Sequence, residues 1–327
     1  MTYRGAVSSA PVVRAPSPAP SRPARPRGVV VGACLAVAAA SAVGVWWLWH
    51  VFVSTRAGQL VETAAYDGAE YGQTRLWQGA EQVLSVVSVG FIAAVLIGAM
   101  LIAVLRRRWE LAVQVAVLMV GANLTTRFLK LEVFDRPELG GHGQYGNTLP
   151  SGHTTAAASA SAALLLVVPP RVRPWAALIG AGYTTLTGVS TLIGQWHRPS
   201  DVVAAILVVL AWTALTCAMI ALRPARGGAG TATGAVPRVD GGEAPPTPAA
   251  MRGVLAVLFV AGAGAGASAA VALAHSWRDR EDLTSRADQV TAYLGGAAGT
   301  LMAACFAFAV MLVLRQAAAS RMLDDRT

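Results

Sequence analysis

The sequence predicts an all-α protein, a polytopic membrane helical bundle, and three observations carry that expectation. Of its 327 residues 55% are hydrophobic and only 13% are charged, against roughly a quarter charged in soluble globular domains. Eight apolar runs follow one another, nearly all long enough to cross a hydrocarbon layer of ~30 Å. The basic residues sit in short clusters between those runs, which is how topology signals are distributed.

The remaining totals exclude several functions. The net charge of +9 is not gathered into a basic patch with interleaved aromatics, so no nucleic-acid partner is expected. Cys34, Cys217 and Cys305 each lie inside an apolar run. No pair of them has metal-ligand spacing, so neither a disulfide framework nor a zinc site is expected. Of the 26 basic residues only Lys130 is a lysine, an arginine bias that a GC-rich genome produces by itself.

In chain order, residues 1–27 are rich in Pro, Ser, Ala and Arg and read as a disordered cytoplasmic tail. The first span covers 28–53. Its length and the tail before it favour a retained helix over a signal peptide. Residues 54–81, with Arg56, Glu62, Asp67, Glu70 and Arg75, read as an extramembrane loop holding a short amphipathic helix over 60–71. Further spans are expected at 83–105, closed by Arg106, Arg107 and Arg108, and at 109–129, 153–168, 174–194 and 201–222. Residues 227–250 form a Gly/Pro-rich linker. Two last spans, 253–274 and 292–314, flank a charged loop over 275–289. The organisation is thus a tail, a six-helix unit over 28–222, the linker, and a two-helix segment over 251–327.

Orientation follows from charge. With the N-terminus inside, inner segments carry 17 basic residues and outer segments 9, which places both termini in the cytoplasm. The same count brings residues 130–152 and 195–200 together on the extracytoplasmic face. Trp46, Trp47 and Trp49 then mark the outer interface. The short span from His153 requires its entry turn, Pro150-Ser151-Gly152, to line a protein cavity at membrane depth.

Chemistry concentrates between Lys130 and Asp201. Phosphoryl transfer needs positioning and charge stabilisation, plus a nucleophile. His197 is placed to attack phosphorus. Asp201, one helical turn on, can accept the other ring N–H and fix the tautomer. His153 can protonate the leaving oxygen. Ser151 and Gly152 open an apolar helix whose backbone N–H groups and dipole favour an anion. Lys130 and Arg136 add positive charge, the arginine as a bidentate fork. Asp135 and Glu138 flank Arg136 but fall short of a cation cage, so no metal or other cofactor is expected. Taken singly each residue is ordinary: a His at a helix end is usually a cap, and Asp201 suits a helix N-terminus. His50 and His275 read as interfacial, His142 as a solvated loop residue, and Trp196 as a packing residue or a lipid contact.

In this order the motifs resemble those of the type 2 phosphatidic acid phosphatase (PAP2) superfamily, whose site is similar to that of vanadium haloperoxidases. The pattern is Lys, six residues, Arg-Pro; then Pro-Ser-Gly-His; then Ser-Arg, five residues, His, three residues, Asp. Here Pro150–His153 and the His197…Asp201 pair are complete. Lys130 and Arg136 are separated by five residues, and Ser190-Thr191 replaces Ser-Arg, removing one phosphate-clamping guanidinium. Arg198 or Arg127 is a candidate substitute, with Thr191 marking the altered position. The resemblance implies a membrane lipid phosphatase with a six-helix core, to which the two C-terminal spans are additional. Its substrate would be a phosphatidate, a phosphatidylglycerophosphate, or a polyprenyl phosphate or diphosphate, hydrolysed through a phosphohistidine. The alternative is a catalytically weak relative that binds or transports a phospholipid.

Overall fold

The computed structural model describes residues 27–86, 109–139, 146–222 and 247–319, with residues 94, 97, 98 and 101. The N-terminal tail, most of the 83–105 span with its arginine closure, the loop holding His142, and the linker lie outside the described residues. Among the described residues there are nine α-helices and no strand. They are α1 (Arg27–Leu48), α2 (Arg56–Gly68), α3 (Glu70–Val86), α4 (Trp109–Phe128), α5 (Gly152–Val167), α6 (Arg173–Ile193), α7 (Pro199–Leu222), α8 (Pro248–Arg278) and α9 (Arg286–Ala319). Single π-helical turns extend α1 over Trp49–Val53 and α4 over Leu129–Val133. Six helices are long and apolar enough to cross a membrane. By length and composition this is a multi-pass membrane protein.

The shortest apolar helix, α5, sits at the centre. Its run Thr154-Thr-Ala-Ala-Ala-Ser-Ala-Ser-Ala-Ala163 is buried on every face. Small side chains let α4, α6 and α7 approach it closely. Glycines in α6 serve the same purpose: a Cβ on Gly180 would lie 2.6 Å from the Phe308 ring, and one on Gly188 would lie 2.6 Å from Val202.

Two segments differ from the sequence expectation or extend it. Residues 54–81 are not a loop with one short helix; they form α2 and most of α3. Thr55 caps α2, its Oγ1 accepting from Gly58 N at 3.0 Å. Gln59 and Glu62 on α2 are only 1% and 2% exposed. The polar face of α2 is therefore turned into the protein, where it has polar partners, and that is why the stretch reads as solvent-facing.

The C-terminal hairpin docks on the central helices. Helix α9 packs against α2, α6 and α7 as well as α8, and Phe308, Met311 and Leu312 are fully buried in the main core. At the far end of α5, Arg315 donates to Leu166 O at 3.2 and 3.3 Å, where carbonyls of a helix C-terminus favour a cation. Helix α8 lies outermost, exposing Val257, Phe259, Val260 and Val271.

Candidate active site

Three chain segments converge where α5 and α7 begin. Ser151 is the N-cap of α5, its Oγ accepting from Thr154 N at 3.3 Å. Its own backbone N–H donates to Asp201 O at 2.9 Å. That single bond fixes the start of α5 against the start of α7. A Cβ on Gly152 would meet nothing within 4 Å, so among the described residues the approach to the α5 N-terminus is open.

The two sequence-predicted histidines meet there. The ring centroids of His153 and His197 are 6.5 Å apart at an interplanar angle of 64°. His197 is buried and its Nδ1 lies 3.1 Å from Asp201 Oδ2. The same carboxylate oxygen accepts from Thr148 Oγ1 at 2.7 Å and from Arg198 N at 3.0 Å. An oxygen with so many donors converging on it is a carboxylate, so the Nδ1 of His197 carries the proton and Nε2 keeps its lone pair. His153 is half-buried with Trp196 on its other side at 5.3 Å, and Trp77 of α3 meets Trp196 edge-on at 5.9 Å.

The cations surround this pair. Lys130 lies in the π-turn after α4, a widened turn of the kind found at functional positions. It is within electrostatic reach of both Asp201 and His153. The Arg136 side chain is 7% exposed, with Nη1 at 3.9 Å from Glu62 Oε2. Burial and the neighbouring Arg198 charge pull Arg136 below the ordinary arginine value, against the pull of Glu62 and Asp201. Arg198 is buried with its guanidinium over the Tyr66 ring, 5.4 Å from the centroid. Arg127, the other candidate substitute, points outward and is exposed. Thr191 is fully buried and spends its hydroxyl proton on Gly188 O at 2.7 Å within its own helix.

Sequence reasoning missed the residues that hold these groups in place. Asn147 donates to the carbonyls of Lys130, Phe134 and Leu149 and accepts from Leu149 N, joining the first motif to the second. Gln59 donates to Val53 O and Pro137 O, both at 2.7 Å, so α2 grips the Arg-Pro loop. Gln195, with φ of 55°, sits in the left-handed region between α6 and Trp196, anchored by its Nε2 to Tyr66 O at 2.9 Å. Such backbone conformations persist where surrounding contacts over-determine them. Glu62 is the largest omission. Its Oε1 accepts from Ser200 N at 3.0 Å. Burial first, and then the Asp201 charge, push its carboxyl up to about 7. A polar stripe at helical spacing, Gln59, Glu62 and Tyr66, is the one signal in the sequence that points to it.

Arranged this way, the candidate site brings together a ring nitrogen with a free lone pair, a second imidazole whose centroid is 6.5 Å away, three cationic side chains and a helix N-terminus. No curated protein and no solved structure matches the chain. Residues 111–225 match the family model of the PAP2 superfamily. Over that segment the chain is similar to the PAP2 superfamily, whose members are generally phosphatases acting on phosphate esters.

Proposed function

We propose that the protein hydrolyses a lipid phosphomonoester or diphosphate without a metal, through a phosphohistidine. The observation that carries this reading is the 6.5 Å separation of the His153 and His197 rings, with His197 held by Asp201 on its far nitrogen. His197 Nε2 forms the N–P bond as the P–O bond to the leaving group breaks, and His153 gives its proton to the departing oxygen. Water then attacks the phosphohistidine, passes a proton to His153, and His197 leaves with its lone pair restored. Lys130, Arg136, Arg198 and the α5 N-terminus bind the non-bridging oxygens, where charge is spread in the transition state.

The lipid part of the reading rests on location. The site lies at the ends of helices long and apolar enough to span a bilayer, so a substrate can keep its chains in lipid while its headgroup reaches the histidines. Phosphatidate, phosphatidylglycerophosphate and polyprenyl phosphates or diphosphates all fit that description. The excess of basic residues on the inner segments favours an extracytoplasmic site and cytoplasmic termini. Lipid carriage without hydrolysis is the weaker reading, because the guanidinium missing at Thr191 has a buried counterpart in Arg198.

Purified protein in detergent is expected to release phosphate from such lipids in the presence of EDTA. Rapid quenching is expected to trap an acid-labile, alkali-stable phosphoenzyme. A carrier would bind the lipid and release none. Substituting Arg198→Gln should raise KM about tenfold or more, as the loss of a charge-assisted contact to phosphate implies. Arg198→Lys should recover only part of it, since an ammonium cannot reproduce the planar fork. Unchanged kinetics in Arg198→Gln would remove Arg198 from the site.

A further inference from the structure

The phosphoryl site contains a carboxylate that an anion site has no evident use for. Glu62 lies on α2, outside the segment that matches the family model, yet it is buried against Arg136 and Ser200. Its pairing with Arg136 is incomplete. At 3.9 Å the two charges do not form the short charge-assisted bond typical of carboxylate and guanidinium. Glu62 Oε2 and Arg136 Nη2 are both buried, and neither has a hydrogen-bond partner among the described residues. Arg136 is thus held near a counter-ion while one face of its fork stays uncommitted.

A dianionic phosphoryl group reaching Arg136 meets Glu62 as a like charge. Two carboxylates also share this pocket, Glu62 and Asp201. Buried like charges resolve by one of them taking a proton. Asp201 is committed, with Thr148, His197 and Arg198 N all on its Oδ2. Glu62 has Ser200 alone as a close donor, with a loose guanidinium, so it is the member that protonates. We propose that Glu62 is an internal counter-ion that holds Arg136 between turnovers and takes up one proton from solvent when a tetrahedral oxyanion enters. It is a positioning residue and makes no bond to phosphorus. Affinity for the oxyanion is therefore linked to pH through α2, and release of the product is assisted when Glu62 ionises and reclaims Arg136.

The charged groups around α2 leave this assignment intact. Asp201 of α7 and Arg136 bear on Glu62 directly, and Arg198 acts on Arg136. On α9, Arg286 lies over the Tyr71 ring and Asp288 is bonded to His275 of α8. Asp279 is paired with His275, Arg56 with Glu281, and His50 stacks on Trp46. Two imidazoles, His153 and His197, also face the anion site, so the test compares wild type and variant at fixed pH.

This inference rests on the phosphoryl site proposed above, and the test separates the two. Sulfate is the probe, a tetrahedral dianion that does not titrate near neutrality. In titration calorimetry with the full chain in detergent, Glu62→Gln keeps an oxygen for Ser200 N and removes the charge. It should bind sulfate about tenfold more tightly than wild type at pH 8, where wild-type Glu62 is ionised. The advantage should disappear at pH 5.5, where Glu62 is neutral. Repeating the titration in buffers of different ionisation enthalpy should show about one fewer proton taken up by Glu62→Gln than by wild type at pH 8. Equal affinities at pH 8 or an unchanged proton count overturn the assignment. The wild-type count needs no variant, and zero uptake at pH 8 is equally fatal. Arg136→Gln should abolish sulfate binding. If it does not, the phosphoryl site itself is wrong; if it does while Glu62→Gln behaves as wild type, only the role of Glu62 fails.

Discussion

Replacing His197 by alanine is expected to reduce phosphate release to background, a loss of about 10⁴-fold or more, because no other group in the site can form the covalent intermediate. Of the two site imidazoles, His197 is the one whose far nitrogen meets a carboxylate, its Nδ1 lying 3.1 Å from Asp201 Oδ2. His153→Ala should behave differently. With an alkyl phosphate, whose leaving oxygen needs a proton, the loss should be about 10²–10⁴-fold. With p-nitrophenyl phosphate, whose leaving group departs as the anion, phosphoenzyme formation should be nearly unimpaired. The second step still needs a base to take the proton of the attacking water, so phosphoenzyme should accumulate in His153→Ala and be visible as a burst. That crossing of variant and leaving group assigns the two roles, which the 6.5 Å ring separation alone leaves symmetrical. Should His197→Ala retain a tenth of the activity, or should both variants respond identically to the leaving group, the proposed division of labour is wrong.

The parts of this site that read directly from the sequence are those whose residue type and spacing are set by local chemistry. A Ser N-cap before a small-residue helix, and a His one turn before an Asp, are intervals within one element. The six helices long and apolar enough to cross a membrane were legible for a related reason, since hydrocarbon thickness and residue rise fix their length. The π-turn at Lys130 was not legible. No residue in Leu129–Val133 demands it, and the shortened interval to Arg136 gives no hint of the local geometry. Glu62 and Gln59 were hidden because their partners, Ser200 and Pro137, lie 138 and 78 residues away. In a stretch that also carries Arg56, Asp67, Glu70 and Arg75, a polar side chain meant for the interior looks the same as one meant for water. Arg198 was visible but could not be told apart from Arg127 until burial over Tyr66 separated them.

Asp201→Asn changes one atom at the point where the segments join, and its consequences extend to α2. The side chain keeps its volume, and its remaining carbonyl can still accept from Thr148 or Arg198 N. What is lost is the carboxylate facing His197. If the new NH₂ faces the ring, Nδ1 must accept, the proton moves to Nε2, and the nucleophilic lone pair is gone. If the carbonyl faces the ring, the tautomer survives but the charge that stabilises a developing imidazolium does not. Either way kcat should fall by about 10²–10⁴-fold with KM little changed, by the logic that makes the aspartate of a Ser-His-Asp triad costly to replace. A structural role alone would lower the unfolding midpoint without separating kcat from KM in this manner. The same substitution carries a second consequence. Asp201 is one of the charges that raise the Glu62 carboxyl. Removing it should bring Glu62 down toward the ordinary carboxylate range, and the pH at which sulfate affinity changes should move down with it. A pH midpoint for sulfate binding that stays in place in Asp201→Asn would show that the two carboxylates do not share one electrostatic pocket, and that α2 is packing against the site without taking part in it.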